Sequence, residues 1–310
     1  MKVVKAVAPY IHPEFLNFKS AAYEAWKRCE GNTAEAHYPI RMLHGLAFRY
    51  EMPTLWNNNK EARLRFIEPV SVSFDTFPDY ALYEIIPFVW DCWPCYFEKM
   101  CLWLQKHQVR TAIFTSSQTA ERMQARFPKM NILHCPEGID ESIYLEGKQL
   151  KERAIDFLEY GRNTDRIVKY DYHNLKVIRG QKDGKNTLSF KDLLATIQNA
   201  KIVAAYPKNW TDPEKAGGIE TLTQRYWECM LSRCVMIGHA PKELIDLIGY
   251  NPVIEIDLSD PDKQLRNILT SIGNYQGLVD KNRVTALRLG NWETRMKQLR
   301  AWLCSIGYSC

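Results

Sequence analysis

The stretch AGGIETLTQRYWECMLSRCVMIGHAPKELIDLIGYNPVIEID, residues 216–257, sets the pattern for the whole chain. It runs from a glycine-containing loop into a helix-like TLTQRYWECMLS, the apolar run CVMIG, a second helix-like PKELIDLIG and the apolar NPVIEID. Short apolar runs bounded by turn residues and separated by helical stretches are the signature of buried parallel strands in an α/β sheet. Upstream, AIDFLEYG, LKVIRG and KIVAAYP read as further strands, with DLLATIQNA as a helix.

The first half has the same rhythm. VVKAVAP, VSVSFD, EIIPFVW, VRTAIFTSS and NILHC read as strands, and FLNFKSAAYEAWKRC, CYFEKMCLWLQKH and TAERMQARF as helices. Alternation of this kind predicts two Rossmann-like α/β domains in tandem with a cleft between them. The pattern breaks in PEGIDESIYLEGKQLKERA, which predicts one domain over 1–148 and a second over 149–290. Residues 291–310 form a predicted amphipathic helix with Trp292, Met296, Leu299 and Leu303 on one face, able to pack on either domain.

Composition narrows the function classes. The chain has 310 residues, 46% of them hydrophobic and 25% charged, which is ordinary for a globular protein needing no staples. No apolar run is long enough to span a membrane, and MKVVKAVAPY lacks the features of a signal peptide, so a cytoplasmic location is expected. Nine cysteines, an odd number without framework spacing, fit reduced thiols in that compartment. Residues 1–150 carry acidic and basic side chains in equal number, so the whole excess of +5 lies C-terminal. That asymmetry suits a half that holds a polyanionic small molecule and is too small to indicate nucleic acid.

The chemistry-bearing stretch is again AGGIETLTQRYWECM. Gly217 and Gly218 allow the backbone to approach a ligand closely. Thr221 or Thr223 can cap the following helix, whose first N–H groups form a natural phosphate site. Glu220 lies in the loop and Glu228 about two turns into the helix, so two carboxylates are available to sugar or ribose hydroxyls.

This order of strand, glycine loop, Glu-x7-Glu helix and strand resembles the donor domain of retaining glycosyltransferases with the two-domain GT-B fold, the large group 1 or family 4-like type. ILHCPEGID resembles that family's PNGID stretch at the domain junction, and FLEYGRNTDRIVK its GR…K stretch opening the second domain. The resemblance covers about residues 110–260. It implies a metal-independent sugar transfer, without a cofactor, from a nucleotide diphosphate-sugar to a glycan or lipid-linked acceptor, with peripheral membrane contact possible for the latter. It further implies that Glu220 contacts hydroxyls of the donor sugar, that Glu228 binds the ribose, and that Arg162 neutralises the diphosphate. Thr221, Leu222 and Thr223 would turn backbone N–H groups to the phosphates beside Gly218. The family's lysine falls on Ile167 here, leaving Arg166 or Lys169 to assist Arg162.

In the first half, PFVWDCWPCYF holds three further candidates. Asp91 follows a strand at the edge where open α/β sheets bind ligands, and it is the candidate base if the reaction inverts. Trp90 and Trp93 can stack on sugar rings or fill the core. Cys92 and Cys95, at the start of a helix, offer an alternative reading as a thiol oxidoreductase or redox sensor, which requires an exposed thiol of lowered pKa. Two further clusters have weaker patterns: His44 with Arg41 and Arg49 for an acceptor phosphate, and Trp103 with Tyr96 and Phe97 for a membrane surface or, more simply, the sheet.

Overall fold

The computed structural model describes residues 1–9, 18–35, 53–54, 60–161, 167–182, 185–186 and 188–310. The chain divides into two compact units. One comprises Met1–Glu137, Lys215–Ile219 and Trp292–Cys310, and the other Gly138–Glu214 and Glu220–Asn291.

The first unit is built on a parallel sheet of β1 (Lys2–Val7), β2 (Thr33–Ala34), β3 (Glu61–Ile67), β4 (Glu84–Val89), β5 (Thr111–Phe114) and β6 (Asn131–His134). The strand order is β1-β3-β4-β5-β6, with β2 on β1, and the terminal strand Tyr308–Ser309 adds to the other end beside β1. Helices Pro94–Lys106 and Ser117–Arg126 form the β4–β5 and β5–β6 crossovers. Ser116 caps the second of these, its hydroxyl accepting from the Thr119 N–H. The C-terminal helix Trp292–Ser305 belongs to this unit. Trp292, Met296, Leu299 and Leu303 are all buried, in a cluster with Trp26, Phe88 and Trp90.

One strand expected from the sequence is absent here, and one strand not expected is present. VSVSFD is not a strand; Val72–Thr76 is a short helix whose Asp75 carboxylate accepts from the Ser71 hydroxyl. The strand that occupies this part of the sheet is EARLRFI, β3, which alternation conceals because Arg63 and Arg65 are buried in it. Those charges are tolerated because they are paired. Arg65 donates to Asp79 at 3.1 Å, and Arg63 lies 3.8 Å from the Tyr83 ring centre while bonding Glu61 at 2.6 Å.

The second unit carries a five-stranded parallel sheet of β7 (Ile155–Glu159), β8 (Val177–Arg179), β11 (Ala200–Ala205), β12 (Val235–Gly238) and β13 (Val253–Glu255). A small hairpin, β9 (Gln181–Lys182) with β10 (Lys185–Asn186), stands apart. The strand order β13-β12-β11-β7-β8 reverses direction of growth between β7 and β11. In open α/β sheets that reversal opens a crevice at the carboxyl ends of the strands. One face of the sheet packs under Leu222 of the preceding loop and Tyr226, Trp227 and Met230 of helix Gln224–Leu231. The other packs under Leu265 and Ile268 of helix Pro261–Thr270 and Val279 of helix Gln276–Leu289, two helices the sequence pattern did not reveal.

Candidate functional site

Three residues that follow strands of the second sheet carry polar or aromatic side chains with defined partners. Tyr160 follows β7, Tyr206 follows β11 and His239 follows β12. Each belongs to a network with a carboxylate or an aromatic ring.

Glu228 is buried, with 6% exposure. Its two oxygens are held separately: the Tyr144 hydroxyl donates to Oε1 at 2.9 Å, and the Tyr160 hydroxyl to Oε2 at 2.6 Å. Burial and the neighbouring carboxylate push both phenols well above their ordinary range, so both remain donors. A carboxylate has about four acceptor positions, so Glu228 keeps capacity for ligand hydroxyls. Arg225, one turn earlier, lies with its guanidinium 5.0 Å from the Tyr160 ring centre. Glu228 stands little more than one turn into its helix rather than two, because the helix begins at Gln224 and not at Thr221.

The late start has a cause. Thr221 donates its hydroxyl to Glu243 Oε2 at 2.9 Å, and the Leu222 N–H donates to the same oxygen at 2.9 Å. Glu243 is itself buried and was not recognisable from the sequence. It holds Thr221 and Leu222 out of the helix and already occupies one of the three loop amides expected to face phosphate. Thr223 occupies the N-cap position without a side-chain capping bond.

Glu220 is bound at both oxygens. Oε1 lies 2.9 Å from Nε2 of His239, and Oε2 accepts from the Lys242 N–H at 3.0 Å. The second ring nitrogen of His239, Nδ1, is 2.8 Å from Glu255 Oε2. The imidazole stacks on Trp210 at 4.8 Å and 13°, and Trp210 stacks in turn on Tyr206 at 5.9 Å and 28°.

Other sequence candidates fall elsewhere. Gly217 and Gly218 belong to the segment assigned to the first unit; Gly217 adopts φ +54°, and Gly218 is exposed with open space where a side chain would lie. Lys169 is exposed. Arg162, Arg166, Arg41, His44 and Arg49 lie outside the described residues. Asp91, in the first unit, follows β4 with φ +50°, a backbone conformation uncommon for a residue other than glycine.

The rest of the PFVWDCWPCYF segment is core. Trp90 and Trp93 are 1% and 2% exposed, so neither presents a face to a sugar. Trp103 is buried against the sheet and not available to a membrane surface. Cys92 is buried, and burial pushes its thiol far above the ordinary range, while only Cys95 of the pair is exposed. A dithiol site needs the opposite shift, so the structure opposes the redox alternative.

Among the described residues, no cluster of three or more His, Cys, Asp or Glu is arranged to hold a metal ion, and no helix is long and apolar enough to cross a membrane. The one Asp-x-Asp triplet, Asp260-Pro261-Asp262, has structural employment. Asp260 caps its helix by accepting from the Lys263 N–H at 3.1 Å, and Asp262 accepts from the Asp171 N–H at 2.7 Å.

No protein-family model and no curated protein matches the sequence. Solved structures do. The chain is similar to Anabaena Alr3699/HepE, whose structure is in complex with UDP and glucose, at 9% identity and TM-score 0.58, covering 98% of this chain and 100% of that one. It is similar to AviGT4, a glycosyltransferase involved in avilamycin A biosynthesis, at 12% identity and TM-score 0.56, covering 99% and 98%. A third match, TarM, has 12% identity and TM-score 0.52 over 80% of this chain, which spans 55% of TarM. The two parallel α/β units thus have the GT-B fold expected from the sequence.

Proposed function

We propose that the chain is a glycosyltransferase that moves a sugar from a nucleoside diphosphate donor to a glycan or lipid-linked acceptor. The observation that carries this reading is the placement of the two glutamates. Each is tied to the residue immediately following a parallel strand, Glu228 to Tyr160 after β7 and Glu220 to His239 after β12. Both carboxylates therefore line the carboxyl edge of the second sheet, where α/β folds bind nucleotides. UDP is the first candidate nucleotide, because the similar HepE structure holds UDP and glucose.

In this reading Glu228 accepts from ribose hydroxyls and Glu220 from hydroxyls of the donor sugar. Transfer breaks the bond between the anomeric carbon and the β-phosphate oxygen, so negative charge grows on the diphosphate. Arg162, aided by Arg166 or Lys169, supplies fixed positive charge there, and the free N–H groups at the start of helix Gln224–Leu231 add to it. With retention, the departing phosphate takes the acceptor's proton on the same face and no separate base is needed. With inversion, Asp91 is the base. The reaction is metal-independent, and the protein works in the cytoplasm or at the inner face of a membrane, building a surface polysaccharide or glycoconjugate.

The test is thermal unfolding of the purified chain with UDP, GDP, ADP, CDP and dTDP. A nucleotide at one hundred times its dissociation constant stabilises the native state by about 2.7 kcal/mol, a shift of a few degrees. One nucleotide should raise the midpoint in the wild type and not in Glu228→Ala. No shift with any of the five would overturn the reading.

A further inference from the structure

We infer that His239 is a positioning residue, which clamps the sugar-facing carboxylate of Glu220 from a rigid strand end; this rests on the transferase reading above. Glu220 needs such support. It sits in a loop, outside any helix or strand, and a catalytic constellation placed on a loop is held less closely than one on a regular element.

His239 has what the loop lacks. Its backbone is fixed twice, the N–H donating to the Ala205 carbonyl at 2.9 Å and the carbonyl accepting from the Tyr226 hydroxyl at 2.7 Å. The preceding Gly238 has φ +146° and lies so close to the Ala205 carbonyl that any side chain would collide with it. The ring is fixed on its face by Trp210 and on its far nitrogen by Glu255, whose other oxygen accepts from Asn251 Nδ2 at 2.9 Å. The stacked Trp210 and the bonded Glu255 thus set the direction in which Nε2 points, and Nε2 sets Glu220.

The experiment compares wild type, Glu220→Ala, His239→Ala, His239→Gln and the Glu220→Ala/His239→Ala double variant. Each is assayed for nucleotide affinity, with UDP as the probe, and for release of UDP from UDP-glucose, or of the matching nucleotide from whichever nucleotide sugar the wild type turns over. A misplaced reacting group costs about 100-fold in turnover. His239→Ala should therefore lose about 100-fold in kcat while binding UDP within about twofold of wild type. His239→Gln, which keeps one N–H donor, should regain at least about tenfold. The double variant should be no worse than Glu220→Ala, since the two residues act as a unit. Unchanged kcat in His239→Ala, or losses that multiply in the double variant, would overturn the positioning role. A UDP affinity that falls together with kcat would reduce His239 to a structural residue and overturn it too. A wild type that releases nucleotide from no nucleotide sugar overturns the transferase reading itself, and this inference with it.

Discussion

The Tyr160 hydroxyl donates to Glu228 Oε2 at 2.6 Å, joining the end of β7 to a helix 68 residues further along the chain. A buried carboxylate deprived of a donor retains its desolvation cost, about 1–3 kcal/mol. Tyr160→Phe should lower the unfolding free energy by about that amount and weaken nucleotide binding, because Glu228 is released to rotate. Tyr144→Phe removes the donor to the other oxygen and should act in the same direction. Calorimetric unfolding and UDP titration of the two variants check both effects. Wild-type affinity in both would show that the tyrosines do not orient Glu228.

How much of this could be read from the sequence differs between its levels. The strands of the second unit were legible because they are buried on both faces and read as continuous apolar runs, KIVAAYP and CVMIG among them. β3 was not, because Arg63 and Arg65 interrupt its pattern and only their partners Glu61, Tyr83 and Asp79 make their burial tolerable. VSVSFD misled because so short an alternating run fits a strand as well as one helical turn. At the site, the spacing of Glu220 and Glu228 and the glycines before them were visible locally. What holds these carboxylates and the loop between them was not: Tyr144 and Tyr160 reach Glu228 from 84 and 68 positions away, His239 reaches Glu220 from 19, and Glu243 holds Thr221 and Leu222 from 22 and 21, and no local pattern marks such contacts.

The cysteine pair gives a separate prediction. Burial raises the Cys92 thiol, and a thiol held protonated in the core does not alkylate. Brief treatment of the native protein with iodoacetamide should label the exposed Cys95 and Cys304 and spare Cys92, as read by peptide mass mapping. Cys92→Ser should leave sugar transfer within about twofold of wild type while lowering the thermal midpoint, since a hydroxyl replaces a packed sulfur. Rapid labelling of Cys92 would contradict the buried geometry.

Gly238 ends β12 where only glycine fits. Its φ of +146° is strained for any other residue, and a Cβ there would meet the Ala205 carbonyl of the neighbouring strand. Gly238→Ala must therefore separate β11 from β12 at the point from which His239 reaches Glu220. The expected result is a loss of about 1–3 kcal/mol in stability and a fall in turnover larger than the fall in nucleotide affinity. Gly249→Ala is the control: it also has positive φ, at +83°, but has open space around it, so it should cost stability without the loss of turnover.

Glu61 predicts a pH dependence. Hydrogen bonds from Lys5 and from Arg63 Nη1, the latter at 2.6 Å, hold its carboxyl below the ordinary value of 4.5. A carboxyl lowered in the folded state binds its proton more readily once unfolded, so it stabilises the native form above the ordinary value. That contribution disappears as pH falls through the lowered one. The pair is partly open to solvent, which limits the effect to about 1 kcal/mol or less. Thermal midpoints of wild type and Glu61→Gln should therefore differ at pH 7, with wild type the more stable, and converge as the pH is taken below 4.5. A difference that persists unchanged into acid would mean that Glu61 acts by packing against Arg63 and not by its charge.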